Sequence, residues 1–147
     1  MAGTNVEELI ARGIRAVNSG KTSLALECFE EAVERRNTPA NWSYLAFCLA
    51  KERRQFDRAI QLCQEAIRKD PQNAVHYLNL GRVYLQAGST KDAIHVFRQG
   101  LLYESNSHIE AELRKIGLRK PPVVGFLRRD HPINKYLGIV MKKLRLR

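Results

Sequence analysis

Apolar residues recur along this chain at spacings of three and four, in paired runs separated by short polar breaks. The clearest pair lies in AVHYLNLGRVYLQAGSTKDAIHVFRQGLLYESN, beginning at Ala74. Tyr77, Leu80, Gly81 and Tyr84 form one stripe, and Ala93, Phe97, Gly100 and Leu101 a second. Such spacing is that of an amphipathic helix, and AGST after Gln86 interrupts it. The pattern predicts two short helices joined by a tight turn.

The same grammar appears twice upstream. In NWSYLAFCLAKERRQFDRAIQLCQEAIRKDPQ, Trp42, Leu45, Ala46 and Leu49 form the first stripe. Ala59, Cys63, Ala66 and Ile67 form the second, and Asp70-Pro71 closes the unit. In VEELIARGIRAVNSGKTSLALECFEEAVERRN, Leu9, Gly13 and Ala16 precede a turn at Gly20, and Ala25, Phe29 and Ala32 follow it. The matching alanines stand at 25, 59 and 93, two steps of 34 residues. The second unit carries one extra residue around KERRQFD, which predicts a longer turn between its helices.

A period of this length, with small residues at fixed places in both helices, resembles the tetratricopeptide repeat. Its pattern of W-x2-L-G-x2-Y, then A-x3-F, then Pro, is matched in part by each unit over residues 6–107. Arg12 and Ser105 depart from it, standing where the pattern has Leu and Pro. Gly13, Ala46 and Gly81, with Ala25, Ala59 and Ala93, fall where paired helices cross closely. Large residues such as Phe29, Tyr84 and Phe97 would fill the spaces between units.

The implied fold is all-α, a right-handed superhelix of antiparallel helix pairs in which each unit contacts mainly its neighbours. The expected units are 6–38, 39–73 and 74–107. HIEAELRKIGL supplies a capping helix over 108–117, with Ile109, Leu113 and Ile116 as its stripe and Gly117 as its stop.

The resemblance also implies a site. First helices of such repeats line a concave groove that takes an extended peptide or a helix. Carried over by position, Glu7, Ile10, Ile14, Val17 and Asn18 would line it from the first unit. Ser43, Phe47, Ala50 and Lys51 follow from the second, and Val75, Leu78, Arg82, Leu85 and Gln86 from the third. One subset of the family clamps the C-terminal carboxylate of heat-shock chaperones with Lys, Asn and Arg at inner positions. Ile10, Ile14, Val75 and Asn79 stand at those positions here, so the resemblance implies no such clamp. The expected partner is an apolar or amphipathic protein segment, held in register by Asn18, Lys51, Arg82 and Gln86.

Charge changes the picture only near the end of the chain. From His108 onward eleven Lys or Arg face three acids, +8 of the +10 total. In KPPVVGFLRRDHPINKYLG the helical pattern breaks, then resumes from Ile133 with Tyr136, Leu137, Val140, Met141 and Leu144 on one face. The boundary for this basic tail is set at 118–147. It admits four readings. Val123, Val124, Phe126 and Leu127, with Tyr136 and Leu137 of the terminal helix, could dock on the repeats. The basic helix could instead lie on an anionic membrane surface. Nucleic acid is served poorly, because aromatics for stacking are sparse. The last reading is a solvated tail.

No Gly-rich phosphate loop, nucleophile elbow or zinc-helix motif occurs, and the four histidines are scattered. The expectation is therefore a chain without catalytic residues, metal or cofactor. Three well-separated cysteines, Cys28, Cys48 and Cys63, argue against a disulfide framework. An acidic N-terminus, without a signal-like apolar run, makes a cytoplasmic setting the expectation.

Overall fold

The computed structural model describes residues 5–119. Seven helices succeed one another there: α1 (Val6–Asn18), α2 (Thr22–Arg35), α3 (Pro39–Arg53), α4 (Phe56–Lys69), α5 (Ala74–Gln86), α6 (Thr90–Tyr103) and α7 (Ser107–Arg119). The described residues contain no strand. The tail residues Val123, Val124, Phe126, Leu127, Tyr136 and Leu137 lie outside the described part.

Each unit begins with a side-chain cap and turns without one. Asn5, Thr38 and Asn73 accept from backbone N–H groups of Glu7, Asn41 and Val75, at 3.1, 3.4 and 3.0 Å. These bonds satisfy donors that the first helical turn leaves open. The second helices have no side-chain cap and instead follow left-handed residues: Gly20 at φ +78°, Arg54 at +53° and Gly88 at +82°.

Arg54 takes this conformation where the other two turns use glycine, which has no Cβ to clash. Its guanidinium lies 5.0 Å from the Phe56 ring centroid. The extra residue of the second unit does not lengthen this turn. It extends α3 to 15 residues, against 13 in α1 and α5, and Arg54 and Gln55 alone connect α3 to α4. Lys51, Glu52 and Arg53 are strong helix formers, so continuing the helix costs less than widening the loop.

Within each pair the helices cross over small residues. Ala25, Ala59 and Ala93 are fully buried. A Cβ built on Gly13 would sit 2.7 Å from the Phe29 ring, and one on Gly81 only 2.1 Å from that of Phe97. The aromatic rings therefore occupy the space of a missing side chain in their own unit. Phe29 also stacks on Tyr44 of the next unit, centroids 4.9 Å apart and 7° from parallel. In the middle unit the pairing is more even: Ala46 and Cys63, both fully buried, share one core cluster.

Successive helices pack against one another from α1 to α6, and α3 also packs on α1 and extensively on α5. No comparably close pair forms among α2, α4 and α6. First helices drawn together and second helices splayed apart curve the stack. The result is the superhelix of antiparallel pairs, with α1, α3 and α5 on its inner wall.

Helix α7 belongs to a separate unit that begins at Ser107. It runs past Gly117 by two residues, so that glycine does not stop it. Of its expected stripe Ile109 is buried, and Leu113 and Ile116 are half-buried.

Replacing Gly81 by Ala forces a methyl group into the Phe97 ring, and overpacking of this kind costs about 1–3 kcal/mol. Urea unfolding should show that loss, and Phe97→Leu in the same chain should recover part of it. Equal stability of Gly81→Ala and the parent chain would mean the crossing is not tight.

Candidate functional site: the wall of first helices

The wall formed by α1, α3 and α5 is apolar at its floor and mixed at its surface. Val17, Phe47 and Leu78 are buried, with 8%, 8% and 2% of their surface accessible. They hold the helices together more than they face outward. Ile10 and Ile14 are half-buried against the first core cluster. Val75, Arg82, Leu85 and Gln86 are also half-buried, and Asn18 and Lys51 are exposed. The accessible surface thus combines four aliphatic side chains with Asn18, Lys51, Arg82 and Gln86.

Two contacts join α3 to α5 across this wall. The Arg82 guanidinium lies 5.5 Å from the Phe47 ring centroid, where the ring's negative face attracts it. Its charge also reaches Tyr44: burial pushes that phenol above its ordinary value, and Arg82 partly offsets the rise. The one carboxylate assigned to the wall, Glu7, pairs with Arg36 at 2.5 Å, which holds its carboxyl below the usual range. The acid is thus neutralised within the protein, and Lys51 stands exposed on α3.

The second link is a buried polar chain that the sequence pattern did not reveal. Ser43 and Asn79, assigned to the groove by position, are both fully buried. Asn79 Nδ2 donates to Ser43 Oγ at 3.1 Å, and Ser43 Oγ lies 3.1 Å from His76 Nδ1. His76 Nε2 in turn lies 3.1 Å from Asp70 Oδ2. Read singly, His76 is one of four scattered histidines. Its partners lie 33 residues back and six residues back, and only the superposed repeats bring them together.

A serine, histidine and aspartate in a row have the composition of a hydrolytic triad, but Ser43 is sealed from solvent and no substrate reaches its hydroxyl. Ala50, the remaining groove assignment, is also buried. Among the described residues no group of three or more His, Cys, Asp or Glu could hold a metal ion. No helix among them is long and apolar enough to cross a membrane.

Comparison with known proteins agrees with this architecture. The tetratricopeptide-repeat family pattern matches residues 10–73 and, separately, residues 50–115. Comparison with curated protein sequences gave no match. Among solved structures, the first TPR domain of human RPAP3 is 20% identical, covering 77% of this chain and 90% of that one, at a TM-score of 0.58. The Arabidopsis OM64 TPR domain is 22% identical, with coverages of 78% and 95% and a TM-score of 0.56. The TPR2B domain of yeast Sti1, solved as a complex with pHsp70, is 22% identical, with coverages of 77% and 90% and a TM-score of 0.55. At these identities the likeness is one of fold. The two family matches together span residues 10–115, and the chain belongs to the tetratricopeptide-repeat family, generally a non-enzymatic protein-interaction fold.

The three cysteines take no part in the wall's surface. Cys28, Cys48 and Cys63 are buried, and burial raises all three thiols, Cys48 to about 12. A thiolate is the reactive form, so native protein at pH 8 should react with an aromatic disulfide reagent at least a hundredfold more slowly than unfolded protein. Rapid labelling of one thiol in the native state would contradict this placement.

Proposed function

We propose that this tetratricopeptide-repeat protein is a non-enzymatic adaptor that seats an apolar or amphipathic segment of a partner protein along α1, α3 and α5. The observation that carries the proposal is the make-up of the wall: Ile10, Ile14, Val75 and Leu85 half-exposed on α1 and α5, with Lys51 exposed on α3. Aliphatic side chains of a bound segment would gain by leaving water there, and an acidic residue would fix its register on Lys51.

The solved yeast Sti1 domain is a complex with pHsp70. The residues here favour a different class of segment. Ile10 and Ile14 pack against the core cluster, and Asn79 is buried and bonded to Ser43. A chain end with a free carboxylate would find aliphatic groups where a clamp needs cations and amides. The proposed setting is cytoplasmic, where unpaired thiols such as these stay reduced.

The test uses the full chain as bait. Lys51→Glu with Val75→Glu changes an exposed and a half-buried position, so circular dichroism and the melting midpoint should stay close to those of the parent. Partners captured by the parent should be lost at least tenfold from the double variant. A matching control, Lys91→Glu on exposed α6, should keep them. Identical capture by all three proteins would remove the wall of first helices from the account.

A further inference from the structure

The buried chain Asp70–His76–Ser43–Asn79 has more consequences than holding two helices together. It spans three pieces of the fold: Ser43 is on α3, His76 and Asn79 are on α5, and Asp70 is in the α4–α5 connection. His76, Ser43 and Asn79 are fully buried, whereas the Asp70 side chain is 48% exposed. One end of the chain is thus in contact with water and the other is at the floor of the wall.

The geometry allows two complete proton arrangements. Ser43 has a single hydroxyl proton and two acceptors within reach, His76 Nδ1 at 3.1 Å and the Ala40 carbonyl at 3.2 Å. While His76 is neutral, its Nε2–H donates to Asp70, Ser43 O–H donates to Nδ1, and Asn79 donates to Ser43. Once His76 is protonated, both ring nitrogens donate. Ser43 Oγ must then accept from Nδ1–H, and its proton turns to the Ala40 carbonyl. Each arrangement is consistent by itself, and they differ by one proton taken up from solvent.

We propose that His76 is a proton-sensitive latch between the second and third helix pairs, closing α3 onto α5 while neutral and loosening that junction when protonated. Two features make the protonated form the weaker one. The imidazolium is buried, and desolvation penalises a charge. It lies in the first turn of α5, where the helix dipole is positive.

The ionisable surroundings are few. Asp70 is the group bonded to the ring and partly compensates its charge. Glu104, from the end of α6, lies at the same helix start, accepting from Ala74 N–H at 2.8 Å. The α3 groups that meet the cluster, the Ala40 carbonyl and Ser43, are neutral. Burial accordingly holds the imidazole below its ordinary value, and Asp70 offsets part of that shift.

A depressed histidine binds its proton more readily in the unfolded chain. The latch's contribution is therefore fully present above about pH 6.5 and is lost as pH falls from there through the folded-state value. Because α3 and α5 carry Phe47 and Leu78, the same proton would set the spacing of the wall. The latch itself needs no partner in order to be tested.

The measurement is a pH titration of the full chain, uniformly labelled with the heavy nitrogen isotope, by long-range nitrogen–proton NMR of the histidine rings and by backbone amide spectra. Melts followed by the fluorescence of Trp42, the chain's single tryptophan and the neighbour of Ser43, accompany it. At pH 8 the neutral ring should carry its proton on Nε2. His76 should then titrate below the usual histidine value, moving the Ser43 and Asn79 amide signals with it. The melting midpoint should fall by several degrees between pH 7 and pH 5, and His76→Gln should remove at least half of that fall.

Should His76→Gln fail to fold, Asp70→Asn decides the matter, since it keeps the ring and removes its counter-charge. The His76 titration should then move to still lower pH. A proton on Nδ1 at pH 8, or His76 titrating at or above the usual histidine value, would overturn the proposal. So would a midpoint whose pH dependence is unchanged in a folded His76→Gln chain.

Discussion

The fold rests on a missing carbon atom. At Gly13 and Gly81 the first helix of a pair presents bare backbone, and an aromatic ring from the second helix fills the space a Cβ would take. Close-packed interiors leave no slack at such a contact. With the ring seated, the two helices cross at one depth and the flanking alanines 25 and 93 are driven to full burial. The middle pair reaches the same depth by sharing the volume differently, with Ala46 on one helix and Cys63 where the others have Phe.

Tight crossing within pairs has a consequence between them. It places α1, α3 and α5 side by side, and α3 and α5 become close enough to share a cation–aromatic contact and a buried polar chain. The second helices, splayed outward, make no comparable contact with each other. A concave wall with an apolar floor and an exposed lysine, Lys51, is what remains accessible. The proposed function follows from that wall, and the proposed latch from the polar chain beneath it, so the two stand or fall separately.

Much of this was legible in the residue pattern. The recurrence of alanine at 25, 59 and 93 and the paired stripes around it fixed three helix pairs and their order. The helices α1 to α6 follow one another in that order. The extra residue of the second unit was also visible, but its placement was not. Whether it enlarges a loop or a helix depends on Arg54 accepting a left-handed conformation with its guanidinium on Phe56, a balance too fine for periodicity to report. Position within a repeat also suggested that Ser43, Leu78 and Asn79 face the groove, yet all three are buried. Their helices approach so closely that positions at the rim of an isolated helix become its core. The relay through His76 was illegible for a related reason. Its members are 33 and six residues apart in sequence and meet only after the repeats stack.

The central claim is that the partner lies on the wall of first helices and not on the outer surface. The most direct test places a photo-reactive amino acid at one position at a time, at Ile14, Val75 or Leu85 on the wall and at Glu27, Gln61 or Gln99 on the exposed faces of α2, α4 and α6. Irradiation in cells, followed by identification of the joined peptide, gives the contact at residue level. The account predicts one and the same partner segment, apolar with at least one acidic residue, joined at the three wall positions and not at the outer three. The same segment joined at the outer positions, with the wall left unlabelled, would contradict it.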